Sequence, residues 1–265
     1  MANTQLNHSN ETNRRSFMKQ STAAVVGGSL AASLGTARMA HAAADDTLKV
    51  ALIGCGGRGT GAAINATRAD ANIKITVLAD VFPDRIEHCK RNLGPRLRDK
   101  LAVPDDHCFS GFDAYKSVMM TDADVVILAT PPHFRPAHLK ACIDAKKHVF
   151  CEKPVAVDPA GVRSVLETVK LAKERDLSVV SGLCWRYDLG VRETMARIKD
   201  GAIGDIKAIQ ENYLTGALWH RGRQPNWSEM EYQIRNWLYF TWLSGDHIVE
   251  QHIHSLDKAA WLMKD

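Results

Sequence analysis

Past residue 42 the sequence holds no apolar run approaching the roughly 20 residues that a membrane-spanning helix needs. No membrane span is therefore expected in the mature chain. Net charge is also scarce there. The chain has 34 basic and 30 acidic residues. Arg14, Arg15, Lys19 and Arg38 stand against Glu11 in the first 42, which leaves 34 − 4 = 30 basic and 30 − 1 = 29 acidic residues, or +1. So small an excess gives no support for nucleic-acid binding through charge. The six cysteines, Cys55, Cys89, Cys108, Cys142, Cys151 and Cys184, lack paired metal-ligand spacing. They read as mostly buried small apolar residues and not as a disulfide framework. Tryptophan is missing until Trp185, and all six tryptophans follow Gly182. What is present, 45% hydrophobic and 24% charged residues over 265 positions, excludes a disordered chain and suffices for a real core.

The first 42 residues read as an address. Asn13-Arg14-Arg15-Ser16-Phe17-Met18-Lys19 precedes a small-residue stretch from Ser21 to Ala37, and Ala40-His41-Ala42 matches an A-x-A cleavage pattern. The arginine pair resembles a twin-arginine signal, with Asn13 where Ser or Thr is usual and Met18 where Leu is usual. That resemblance implies the twin-arginine export machinery as a partner, a periplasmic destination, and passage in the folded state, often with a cofactor inside. A disordered basic tail is the other reading.

From Thr47 the pattern alternates between apolar runs and helical stretches. Leu48–Ile53 reads as a strand, Gly54-Cys55-Gly56-Gly57-Arg58-Gly59 as a glycine-rich turn, Thr60–Arg68 as a helix, and Ile73–Ala79 as a second strand ending in Asp80. This order is a dinucleotide-binding fingerprint in context. Gly54 permits the tight turn, Gly56 lets backbone approach a pyrophosphate, and Gly59 lets helix pack on strand. Gly57 and Arg58 fall at the helix start, where free N–H groups and the positive dipole end meet phosphate. Asp80, 21 residues after Gly59, is placed to accept hydrogen bonds from the adenosine ribose. It favours NAD over NADP, while Arg58 and Arg85 keep NADP open. Helices over 84–98, 134–145 and 160–175 alternate with strands over 123–129, 148–151 and 177–181. The fold class is therefore α/β, a Rossmann-like doubly wound parallel sheet. Thr130-Pro131-Pro132 and Glu152-Lys153-Pro154 lie with the glycine turn at the carboxyl edge, where ligands gather. Lys153 follows a buried strand directly, as a cleft cation able to do acid–base work or as a solvated strand-end lysine.

Ala51-Leu52-Ile53-Gly54-Cys55-Gly56, Ala129-Thr130-Pro131-Pro132-His133 and Lys147-His148-Val149-Phe150-Cys151-Glu152-Lys153-Pro154 together resemble the glucose–fructose oxidoreductase/inositol dehydrogenase/MocA family over roughly residues 47–260. The resemblance implies an NAD(P)-dependent oxidoreductase, usually homo-oligomeric. In it, Lys153 would contact nicotinamide and substrate, and Thr130, Pro131 and Glu152 would line the cofactor cleft.

After Gly182 the character changes, which divides the chain into a signal (1–42), a nucleotide-binding domain (43–182) and the start of an α+β substrate and oligomerisation domain (183–265). Gly190–Lys199 reads as a helix and Ile206–Leu214 as a strand, and the tryptophans read chiefly as core. In Gly245–Asp257 a helix would put Glu250, His254 and Asp257 on one face, with Glu250 orienting His254. The family carries acid, histidine and aspartate at similar spacing, which implies roles for Glu250 and His254 in substrate binding and proton transfer. Glu250 departs from the commoner aspartate. A metal held by His247, Glu250 and His254 and a plain polar helix face are the competing readings; no metal is expected. The family's second domain is an open sheet, and one strand cannot cover its own apolar face, so that domain is expected to be incomplete. The leading expectation is an exported oxidoreductase acting on a sugar or polyol with tightly bound cofactor. An NAD-dependent glycosidase and a catalytically inert nucleotide-binding module are the rivals.

Overall fold

The computed structural model describes residues 47–263. The expected export signal lies outside the described residues. Six strands form one parallel sheet in the order β3-β2-β1-β4-β5-β6. They are β1 (Leu48–Ile53), β2 (Ile73–Asp80), β3 (Cys108–Ser110), β4 (Val125–Leu128), β5 (His148–Cys151) and β6 (Val179–Ser181). The crossover helices are α1 (Gly57–Ala69), α2 (Pro83–Leu97), α3 (Ala114–Met119), α4 (Arg135–Asp144) and α5 (Pro159–Glu174).

The central strand shows why a doubly wound sheet forms. All of Val50, Ala51, Leu52 and Ile53 are buried, as a strand covered on both faces requires. Alternate residues serve opposite sides. Val50 and Leu52 pack with Ile64, Ile86, Leu93 and Leu97 from α1 and α2. Ala51 and Ile53 pack with Val118, Leu139, Ile143 and Val165 from α3, α4 and α5. β1 pairs in parallel with β2 on one side and β4 on the other, so the chain order reverses at its carboxyl end and a crevice opens there.

Beyond β6 come α6 (Leu189–Lys199), α7 (Glu229–Arg235), the short α8 (Thr241–Ser244), a π-helical stretch over Ile248–His252, and α9 (Ile253–Met263). Two expectations are corrected here. Residues 206–214 form no strand. A strand needs a partner ladder, and the ladders among the described residues join only the six named strands. No tryptophan is among the buried core residues. The indoles instead take cations: Trp219 lies 4.4 Å from Arg221, Trp227 4.9 Å from Arg235, Trp261 5.0 Å from Arg186, and Trp185 5.3 Å from Lys258. Of the cysteines, Cys55, Cys89, Cys142 and Cys151 are buried, whereas Cys184 is exposed. Among the described residues no helix is long and apolar enough to cross a membrane.

His138 on α4 gives the fold a pH dependence. It is buried, stacks on Tyr115 at 4.3 Å, and sits 3.4 Å from the Thr130 hydroxyl. Burial, with a smaller push from Arg135, lowers its imidazole to about 4. Unfolded, the ring takes up a proton as pH falls below about 6.5. The folded ring does not, so its contribution is complete above that pH and is lost on the way down to 4. Between pH 7 and 5 the loss should be about 2 kcal/mol. Urea unfolding at both pH values checks it, since His138→Gln should lose correspondingly less. An equal loss in both proteins would remove His138 as the source.

Candidate active site

A cavity of about 340 Å³ opens at the carboxyl edge of the sheet. Its walls hold Gly54, Gly56, Gly57, Arg58, Gly59, Asp80, Thr130 and Pro131, so the cofactor residues expected after β1, β2 and β4 come together. Gly54 has φ +100°, and its backbone N–H donates to the Ala79 carbonyl at 2.8 Å. A Cβ on Gly59 would lie 1.9 Å from the Gly54 carbonyl oxygen, so the helix start is pressed onto the loop. A Cβ on Gly56 would meet nothing within 4 Å. That open cradle sits at the N-cap of α1, where no side chain caps the helix and no acid occupies the first turn. The free N–H groups suit a pyrophosphate, so the loop fits a dinucleotide.

Asp80 braces the loop as well as lining the cavity. Its carboxylate accepts from the Cys55 N–H at 2.7 Å and from the Phe82 N–H at 3.0 Å. Burial raises its carboxyl above the ordinary value, against the pull of those two N–H groups and of Arg85. Arg58 Nε donates to Glu152 Oε1 at 2.6 Å, joining the start of α1 to the end of β5. Glu152 is buried and packs against Gly182, where a Cβ would lie 2.6 Å from its Oε2.

Lys153 leads to the second cluster. The Lys153–Pro154 peptide is cis. Nζ donates to Glu250 Oε1 at 2.8 Å and also to the Glu250 carbonyl, in a pair whose side chains are 16% and 8% exposed. Glu250 lies in the π-helical stretch, and its carboxylate also accepts from Gln251. The expected orientation of His254 by Glu250 is therefore corrected. A wider turn breaks the i, i+4 register that an α-helix would give, and the carboxylate serves Lys153. The same pairing takes Glu250 out of the metal reading. No group able to hold a metal is found among the described residues.

His254 is buried, its Nδ1 has no hydrogen-bond partner among the described residues, and Tyr213 stacks on it at 6.2 Å. Burial and then the Lys153 charge lower its pKa, while Glu250 and Asp257 pull the other way. Its ring is thus neutral at pH 7 and able to accept a proton. Asp257, on the expected face, is held by Arg186 through both carboxylate oxygens at 2.8–3.0 Å. Sequence reasoning missed several groups: His138, Tyr115, Phe112, and the distant Trp219, Arg221, Arg235 and Trp237 all line the cavity.

A parallel sheet of this order, with a glycine cradle at its switch point, defines a dinucleotide-binding Rossmann fold, and a lysine–carboxylate pair and a histidine lie beyond its β5. The chain belongs to the Gfo/Idh/MocA family, described as an oxidoreductase family with an NAD-binding Rossmann fold, whose model matches residues 48–181. An inositol 2-dehydrogenase of Acidothermus cellulolyticus is 27% identical over 221 residues, 83% of this chain and 54% of that protein. A myo-inositol 2-dehydrogenase of Thermotoga maritima is 26% identical over 82% of this chain and 55% of its own length. The chain thus spans about half the length of the curated relatives it matches. A crystal structure of scyllo-inositol dehydrogenase from Lactobacillus casei, with NAD(H) and scyllo-inositol bound, shares the fold. Its TM-score is 0.61 at 23% identity, covering 82% of this chain and 56% of that one.

Proposed function

We propose that the protein is an exported NAD(P)-dependent oxidoreductase acting on a secondary hydroxyl of a sugar or polyol, with the cofactor held between turnovers. The observation that carries this reading is the Lys153–Glu250 pair at 2.8 Å beside a buried histidine of lowered pKa. Bound nicotinamide would supply the hydride acceptor. The chain's own residues do the rest. Lys153 Nζ binds the reacting oxygen and steadies its developing charge. His254 takes the hydroxyl proton. Glu250 fixes the lysine, and Arg58, the glycine loop and Asp80 hold the dinucleotide. The polyol class is supported by the inositol dehydrogenases among the relatives. Export rests on the Arg14–Arg15 signal pattern. A nicotinamide enzyme working outside the cytoplasm needs its cofactor regenerated in place, so a second sugar would reoxidise it.

The assay offers inositols and aldoses to the protein purified from the cell envelope, and follows NADH and product separately. Oxidation of a polyol coupled to reduction of a second sugar, without NADH release, is expected. Stoichiometric NADH release would sink the closed cycle. One relative, from Escherichia coli, is a 2,7-anhydro-N-acetylneuraminate hydratase, 29% identical over 56% of this chain. Product formation with no net oxidation would therefore move the reading toward a redox-neutral reaction such as glycoside cleavage. For oxidation, kcat/KM should stay level above pH 7. It should fall only below about 6.5, because His254 acts unprotonated and its pKa lies below the ordinary histidine value. An acid limb above pH 7 would exclude His254 as the base.

A further inference from the structure

Arg135 is a buried cation with no carboxylate of its own. It opens α4 and is 4% exposed. Local chemistry argues against an arginine there. A cation at the first residue of a helix opposes the positive end of its dipole, and burying one without a carboxylate is costly. Among the described residues its guanidinium pairs with no carboxylate, and its Nε has no hydrogen-bond partner. Burial lowers the guanidinium to about 10, while Cys151, Glu152 and Glu250 pull the other way. Those two carboxylates are already engaged by other cations, Glu152 by Arg58 and Glu250 by Lys153. Local rules are broken in this way chiefly where function requires it.

Its hydrogen bond shows where it acts. Arg135 Nη1 donates to the carbonyl of Pro154, the residue after Lys153. Pro154 is buried and, as a proline, offers no N–H to tie the chain down. On the other side, the Glu152 N–H donates to the Leu128 carbonyl at 2.9 Å and the Lys153 N–H to Glu152 Oε2 at 3.3 Å. The backbone at Lys153 is thus held by the sheet before it and by Arg135 after it. Arg135 in turn is carried by α4, whose Leu139, Cys142 and Ile143 pack in the core on one face of the sheet. The turn that bears the lysine is pinned to a rigid element.

We propose that Arg135 is a positioning residue for the reaction: through the Pro154 carbonyl it fixes the chain at Lys153, so that Nζ meets Glu250 and the reacting oxygen in one geometry. It acts through Lys153 and does not itself line the cavity. The proposal rests on Lys153 binding that oxygen. A displacement of about 1 Å in a reacting group can cost roughly 10²-fold in rate, so a single buried hydrogen bond behind the lysine is worth the burial of a cation.

Arg135→Met and Arg135→Lys in the full chain test it with two readouts. The first needs neither cofactor nor substrate: hydrogen exchange resolved to the Glu152 and Lys153 amides. In Arg135→Met both should open at least about tenfold more often, as for one lost hydrogen bond to a charged group, while the amides of β1 exchange as in the parent. The substitution removes a buried unpaired cation, so the melting temperature should stay within about 4 °C of the parent's. The second readout is hydride transfer from myo-inositol to NAD⁺ on the protein. In Arg135→Met kcat should fall by about 10–100-fold, with KM changed by less than about threefold. Arg135→Lys keeps a charged donor, so it should restore the exchange protection and bring kcat within about tenfold of the parent. Unchanged exchange at Glu152 and Lys153, or an acceleration spread evenly through the sheet, overturns the proposal. So does a rise in KM at unchanged kcat. A parent that passes no hydride while the exchange responds as expected fails the redox reading and not the hold on Lys153.

Discussion

Lys153→Met should lower kcat by about 10²–10⁴-fold, the usual contribution of a positioned acid–base group, while a dinucleotide still binds. The substitution has a second effect that must be separated from the first. Glu250 is buried and holds Lys153 at 2.8 Å. Removing one member of a buried pair leaves an uncompensated charge and typically destabilises by roughly 3–5 kcal/mol. The lysine keeps some solvent contact, so a loss near about 3 kcal/mol is expected. Lys153→Met/Glu250→Gln removes the orphaned charge, and its amide oxygen can still accept from Gln251. The double variant should recover most of the stability and none of the turnover. Recovery of both would show that the lysine only supports the structure. Urea unfolding and single-turnover hydride transfer, run on both variants, decide between these results.

That pair also shows what a linear sequence conveys. Strand β1, the glycine turn, α1 and β2 with its terminal acid were legible because their signals are local: an apolar run, glycines at fixed offsets, then an apolar run again. Strand β3 was not, since Cys108–Ser110 spans only three residues with no alternation to read. The strand expected over 206–214 fails for the opposite reason. Its composition suits a strand, but pairing is a property of two segments. The 97-residue contact between Lys153 and Glu250 could be expected only through resemblance to a family. The helical wheel that placed Glu250 against His254 assumed 3.6 residues per turn, and the π-helical stretch does not keep that spacing. Trp219, Arg221, Arg235 and Trp237, which line the cavity, left only a faint trace, the confinement of tryptophan to the residues after Gly182.

The glycine loop makes the sharpest separation of fold from function. A methyl group on Gly59 would lie 1.9 Å from the Gly54 carbonyl oxygen and 3.2 Å from the Ala129 side chain. The first of these is backbone and has nowhere to go, because Gly54 itself, at φ +100°, is wedged against the Ala129 carbonyl group. Gly59→Ala should therefore push α1 off β1 and destabilise by at least about 3 kcal/mol, on the scale of severe overpacking. Gly56→Ala is the counterpart. Its methyl group would point into open space in the protein alone, so unfolding should shift by less than about 1 kcal/mol, the size of a glycine-to-alanine entropy effect. With a dinucleotide present, the same methyl group stands where the pyrophosphate must approach the backbone. A loss of at least about 100-fold in affinity follows if the close N–H contacts to a charged phosphate are broken, since such bonds are each worth roughly 1.5–3 kcal/mol. Thermal melts with and without cofactor read both effects. Gly59→Ala should melt early in either case, and Gly56→Ala should melt like the parent until cofactor is added, when the parent alone is stabilised. Equal stabilisation of Gly56→Ala by the cofactor would mean that the pyrophosphate lies away from this loop, and the assignment of the cleft would have to change.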